Sequence, residues 1–308
     1  MILMSTRARR TLTAVAAAGL LTGCGAVSGA PADDDERRAV ASFYPLAWVT
    51  EQVAGDRWTV TNLTAPGSEP HDLALTIEAT ADLADGDLVV YLSDFQPAVD
   101  DAIDANASGE TLDAADVVDL LALDDHDHAG EDGHAHGESD PHFWQDPERM
   151  ATLAEAVADR LSSLDEAGAT DYQERAAAVA QELRILDREF AQGLSGCERD
   201  VVVVSHDAFG YLQKYAIHLA PIAGLSPDAE PTPAVLAELS ELIETEGLTT
   251  VFSERLASPA LADTLATDLG LRTDVLDPIE GLIDETADED YLSLMRQNLA
   301  ALQEANGC

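Results

Sequence analysis

Residues 170–194 run for about 25 positions without proline, and without glycine until Gly193, and place Leu183, Leu186 and Phe190 at helical spacing. A helix of that length spans about 37 Å, enough to run alongside two lobes. The sequence on either side alternates between short apolar runs and amphipathic segments. The run Asp200-Val201-Val202-Val203-Val204-Ser205 is apolar without alternation, which suits a parallel strand covered on both faces. These features predict an α/β fold: two lobes, each with a mainly parallel sheet flanked by helices, joined by one long rigid backbone helix.

The expected strands of the first lobe are residues 39–43, 58–63, 87–92 and 117–120. A helix to about residue 54 and helices at 76–84 and 96–106 lie between them. An amphipathic helix at 148–164 precedes the long one. The second lobe is expected to hold strands at 200–205, 217–222, 249–253 and 272–276, with helices near 208–215, 233–246 and 258–269. A helix at 291–304 closes the chain. The organisation expected is a leader at 1–23, a tether at 24–38, a first lobe at 39–165 with a histidine-rich loop at 124–140, a linking helix at 166–196, and a second lobe at 197–308.

The leader has the form of an export signal. Arg7, Arg9 and Arg10 precede an apolar run over residues 12–21, too short for a comfortable membrane span. It ends in Leu21-Thr22-Gly23-Cys24, which resembles a bacterial lipobox, so Cys24 is expected to be lipidated and to hold the protein on the membrane. The small and acidic residues that follow read as a tether. Two cysteines remain, Cys197 and Cys308. In an oxidising compartment an even pair predicts one disulfide; a thiolate metal site would need further soft ligands that the sequence lacks.

The chain carries 59 acidic against 16 basic residues, a formal net charge of −43, and Lys214 is its only lysine. Such a surface excludes nucleic acid as a partner, because phosphate binding needs clustered cations. It reads as adaptation to salt or a compositional bias more simply than as a metal-collecting surface.

Histidine is distributed unevenly. Five of the eight fall in residues 124–147. His126, His128, His134 and His136 alternate with Asp, Ala and Gly in a stretch without apolar periodicity, so they cannot form a core. They are expected to form a weak, secondary metal-capture site, because gathering a mobile loop around an ion costs chain entropy. His142 lies just beyond, between prolines, in Asp140-Pro141-His142-Phe143-Trp144.

His71, in Pro70-His71-Asp72, and His206, in Ser205-His206-Asp207, also follow expected strands, as does Asp277 in Leu276-Asp277-Pro278. Open α/β sheets bind ligands beyond the carboxyl ends of their strands. Three imidazoles and one carboxylate suit tetrahedral zinc. Glu254, after the strand at 249–253, competes with Asp277 for the fourth position. Glu69 is separated from His71 by Pro70 and is not expected to ligate; His218 lies within a strand and is expected to be structural.

The segment 67–72 with Thr76, the run Asp140-Pro141-His142-Phe143-Trp144-Gln145-Asp146-Pro147 and the run from Ser205 to Tyr211 carry a family resemblance. Glu230-Pro231-Thr232-Pro233 and Leu276-Asp277-Pro278 add to it. Over about residues 39–306 the chain resembles the zinc/manganese solute-binding proteins of ABC transporters, the ZnuA-like group also called cluster A-I. The resemblance implies metal held in a cleft between lobes by His71, His142, His206 and Asp277. It also implies delivery to an ABC permease by a monomeric, membrane-anchored receptor with no enzymatic step. His206 stands where manganese-binding members tend to carry a carboxylate, which favours Zn2+ over Mn2+ as cargo. A metal-dependent adhesin and an exported zinc hydrolase are the rival readings; the sequence has no His-Glu-x-x-His helix for the second.

Overall fold

The structure is a computed structural model, described here for residues 37–123 and 139–308. The leader, Cys24 and the tether lie outside the described residues, as do His126, His128, His134 and His136.

The first lobe begins with β1 (Arg37–Ala41), α1 (Tyr44–Ala54) and β2 (Trp58–Asn62), and continues through α2 (Ile77–Asp85), β3 (Leu88–Tyr91), α3 (Pro97–Asn106) and β4 (Glu110–Asp113). The strands form a parallel sheet in the order β2-β1-β3-β4. Two short strands, β5 (Leu121–Ala122) and β6 (Ser139–Asp140), pair antiparallel. They lead to α4 (Pro147–Leu164) and α5 (Ala169–Gly193), the long helix expected from sequence.

The second lobe contains β7 (Val201–Val204), β8 (His218–Pro221), α6 (Pro233–Glu246), β9 (Thr250–Ser253), α7 (Ala260–Leu269), β10 (Arg272–Val275) and α8 (Tyr291–Asn306). Its sheet is again parallel, in the order β10-β9-β7-β8. In both lobes the first strand sits inside the sheet, with the second strand on one side and the third and fourth on the other. Each sheet therefore has a switch point, between β1 and β3 and between β7 and β9, where ligands bind in such folds.

Both sheets are covered on two faces, as the unalternating valines of β7 require. Val40, Leu83, Val89 and Val99 pack beneath α2 and α3. Val203, Ile222, Leu239, Ile243, Val251 and Leu265 pack beneath α6 and α7. The opposite faces share one continuous core with α1, α4, α5 and α8, in which Leu183, Leu186 and Phe190 of α5 are fully buried. Each such side chain contributes on the order of 1.5–3 kcal/mol through burial. Local signals start the helices: Thr76, Asp146, Thr232 and Asp290 accept hydrogen bonds from the first-turn amides of α2, α4, α6 and α8. Cys197 and Cys308 form a disulfide joining the segment after α5 to the end of α8.

Two expected elements differ. Residues 117–120 are not a strand; β4 lies earlier, at an edge where only Leu112 is buried, so its pattern reads as polar. The segment expected as a helix at 208–215 is a 3-10 turn, Gly210–Tyr215. Among the described residues no helix is long and apolar enough to cross a membrane.

Candidate metal centre

His206 lies two residues beyond β7, and Glu254 follows β9 directly, so both sit at the switch point of the second sheet. The fully buried His206 turns Nδ1 to Glu254 at 2.9 Å. That contact directs Nε2 into the space between the lobes. His142 is built the same way from the other lobe, with Nδ1 2.8 Å from Asp140 Oδ1 and its ring fully buried. Carboxylates behind imidazoles fix ring orientation and raise ligand basicity. Asp140 reaches His142 because Gly210 leaves it room: a Cβ there would lie 2.6 Å from Asp140 Oδ2.

His71 arrives from the long connection between β2 and α2. Gln96 donates to the Pro70 carbonyl at 3.2 Å, and the Phe95 ring packs edge-on against the imidazole at 4.6 Å between centroids. His71 is partly exposed and borders a cavity of about 430 Å³ walled by Ser93, Asp94, Asp119 and Ser139 of the first lobe and Leu225 of the second.

All three Nε2 atoms converge on one oxygen. Glu280 Oε1 is 3.3 Å from His71, 3.5 Å from His142 and 3.5 Å from His206. His71, His142, His206 and Glu280 each offer one ligand atom, and the four atoms lie within 4.8 Å of one another. A tetrahedral ion with bonds of 2.0–2.1 Å has edges of about 3.3–3.4 Å, close to the three measured distances. The Nε2 atoms of His142 and His206 are buried without an aligned hydrogen bond. Buried polar atoms of that kind call for a partner, and a cation satisfies both.

The fourth position corrects the sequence expectation. Asp277 does not join the cluster: its Oδ1 accepts the Ile279 amide at 2.8 Å, and its Oδ2 lies 3.0 Å from Arg255. Glu254 is behind His206 rather than beside it. Glu69 approaches His71 Nε2 only to 3.9 Å and instead accepts the His71 and Asp72 amides. His218 is exposed in β8, away from the cluster. Glu280 was missed because it lies three residues past the expected ligand, inside a turn whose direction the sequence does not reveal. Its signal was a carboxylate preceding Gly281 in a run after the last strand.

The electrostatics couple the four groups. Burial would push Glu280 up, but contact with His142, His206 and His71 holds its carboxyl well below the ordinary glutamate range. Burial opposes protonation of His206, yet Glu254 and Glu280 outweigh it and raise its pKa to about 10. Burial works against protonation of His142 too, and Asp140 with Glu280 overcomes it, so that pKa is also raised. The surrounding carboxylates favour the protonated forms of His142 and His206, so a metal binding there would compete with those protons.

The family model described as the periplasmic component A of a zinc-uptake complex, ZnuA, matches residues 39–305. The chain belongs to the ZnuA family. The zinc-binding lipoprotein AdcA of Streptococcus pneumoniae is 39% identical over 285 residues, which cover 88% of this chain and 56% of AdcA. The chain thus spans little more than half the length of that relative. The ZnuA protein of Bacillus subtilis, a high-affinity zinc uptake system protein, is 33% identical, with 93% of each chain covered. Among solved ZnuA-family structures, the Zn(II)-bound ZnuA-like domain of S. pneumoniae AdcA superposes with a TM-score of 0.74 at 35% identity. That match covers 89% of this chain and all of the domain.

Proposed function

We propose that this protein is an extracytoplasmic receptor that captures Zn2+ between its lobes and delivers it to an ABC permease for import. The observation that carries the reading is the convergence of three imidazole Nε2 atoms on Glu280 Oε1 at 3.3–3.5 Å. Three nitrogens and one oxygen favour zinc over manganese, which prefers more oxygen ligands. Four protein ligands leave no position for the activated water that a zinc hydrolase needs. Relatives named for zinc binding and zinc uptake support the same cargo.

His71, His142, His206 and Glu280 are the proposed ligands. Cys24 is proposed as the lipid anchor that holds a monomer at the membrane, and His126, His128, His134 and His136 as a weaker capture site. The experiment that tests the cargo is elemental analysis of the purified protein with zinc and manganese in competition, alongside His206→Ala. One tight equivalent of zinc, lost in the variant, is expected; preferential retention of manganese overturns the assignment.

A further inference from the structure

Asp277 was expected to bind metal, and the structure gives it a different task. It begins the turn Asp277-Pro278-Ile279-Glu280-Gly281, which carries the fourth ligand. Asp277 is itself fixed at both backbone groups by Asn298, whose Oδ1 accepts its amide at 2.9 Å and whose Nδ2 donates to its carbonyl at 2.6 Å. From that anchored position its carboxylate accepts the Ile279 amide.

Ile279 has φ of 60°, a left-handed conformation. For a β-branched side chain this is strongly disfavoured, because Cβ and its branches crowd the backbone. Ile279 is also fully buried, so packing as well as hydrogen bonding holds it there. The left-handed residue reverses the chain and brings the next side chain, Glu280, back to the imidazoles. Strain of this kind persists only where surrounding contacts over-determine it.

The first lobe supplies further contacts. Trp144 Nε1 and Gln145 Nε2 both donate to the Pro278 carbonyl, at 2.7 Å and 2.5 Å. Trp144 and Gln145 are the second and third residues after His142. The segment presenting His142 is thus clamped directly to the turn presenting Glu280, across the two lobes.

We infer that Asp277 is a positioning residue: by accepting the Ile279 amide it holds the strained turn that sets Glu280 against His71, His142 and His206. Both Asp277 oxygens are engaged, Oδ2 in the ion pair with Arg255. The inference rests on the proposed zinc site for its effect on binding, while the turn itself can be read without metal.

Three variants test it: Asp277→Ala, Asp277→Asn, and Asp277→Ala combined with Ile279→Gly. Zinc affinity is measured by competition with a chromogenic chelator. Ligand geometry is read from the visible spectrum of the cobalt(II) form, in which tetrahedral sites absorb far more strongly than higher-coordinate ones. Asp277→Ala is expected to weaken zinc binding by about 10–100-fold, the usual effect of losing a group that orients a ligand, and to weaken the cobalt bands. Asp277→Asn keeps an acceptor for the Ile279 amide and is expected to stay near wild type. Glycine enters the left-handed region freely, so the double variant is expected to recover much of the loss.

Hydrogen exchange at the Ile279 amide gives the metal-free readout, protected in wild type and Asp277→Asn and exposed in Asp277→Ala. An unchanged Asp277→Ala overturns the inference. So does an Asp277→Asn as impaired as alanine with no rescue by glycine, the pattern of a direct ligand. If wild type shows the expected exchange pattern but binds no zinc tightly, the proposed cargo fails and the turn assignment stands. Should Asp277→Ala not fold, near wild-type binding by Asp277→Asn supports positioning, and its loss overturns it.

Discussion

Both oxygens of Glu254 lie 2.9 Å from Nδ1 of His206. This contact gives Glu254, a competitor for the metal in the sequence, the task of orienting His206, a proposed ligand. Glu254→Ala removes the group that fixes the ring and leaves His206 buried with no partner on Nδ1. Zinc affinity is expected to fall by about 10–100-fold, with one equivalent still bound, as measured by chelator competition. A complete loss of stoichiometric binding in a folded variant would show Glu254 to be a ligand itself.

The same carboxylates give zinc binding a pH dependence that extends above neutrality. Folded His206 has a pKa raised to about 10, against about 6.5 for a free imidazole. In the metal-free protein its proton therefore contributes stability that is fully present below about pH 6.5 and is lost as pH rises toward 10. Zinc needs the neutral ring, so binding expels that proton and affinity is expected to climb from pH 6 through pH 8 and beyond. Calorimetry at pH 7.5 in buffers of differing ionisation enthalpy is expected to show release of about one proton or more per zinc. Heat that is independent of buffer at that pH would mean that His206 and His142 are already neutral.

How far the site can be read from sequence follows from where each residue's direction is set. The sequence places His71, His142 and His206 after expected strands, and the structure brings these three side chains together. Glu280 is not legible, because its direction depends on the left-handed φ of Ile279, a conformation that an isoleucine codon gives no reason to expect. The fold is legible where burial is two-sided, as in the valines of β7. It fails at β4, where Leu112 alone is buried and the apolar run at 117–120 belongs to the chain after a 3-10 turn. The Cys197–Cys308 pairing is legible from the count alone.

That disulfide closes a sequence separation of 111 residues, tying the end of α5 to the end of α8. The chain-entropy model assigns a loop of this size about 4–5 kcal/mol. Cys308→Ser is expected to lower the unfolding free energy in urea by about 3–5 kcal/mol. Neither cysteine belongs to the metal cluster, so zinc affinity at 25 °C is expected to be unchanged. A loss of zinc binding in the folded variant would reveal coupling between the second lobe's far end and the cleft.

Lys214, the chain's single lysine, reaches from the second lobe to acidic groups at α4 and α5, 2.8 Å from Asp146, 2.8 Å from Asp187 and 3.1 Å from Glu148. Burial disfavours its charge, but these carboxylates raise its pKa well above the ordinary lysine value. Asp146 also caps α4 and pairs with Arg149, so Lys214→Met leaves it one of two cations. The expected cost is about 1–3 kcal/mol, since a buried carboxylate loses a charged partner. Thermal unfolding at pH 7 checks this. A variant as stable as wild type would show that Arg149 alone suffices.

The β5–β6 pair is held by a contact from the opposite lobe. Tyr211 accepts the Leu121 amide at 3.0 Å and donates to the Asp140 carbonyl at 2.7 Å, bridging β5 and β6. The strand pair is therefore secured independently of what connects it, and Asp140 keeps its place behind His142. Replacing residues 124–138 with a short Asn-Gly turn, which suits an antiparallel pair, is expected to leave one zinc equivalent bound with unchanged affinity. Weak additional equivalents, or rapid uptake from dilute zinc, are expected to disappear if His126, His128, His134 and His136 collect metal. Equilibrium dialysis and stopped-flow chelator exchange separate the two effects; loss of the tight equivalent would place one of those histidines in the site itself.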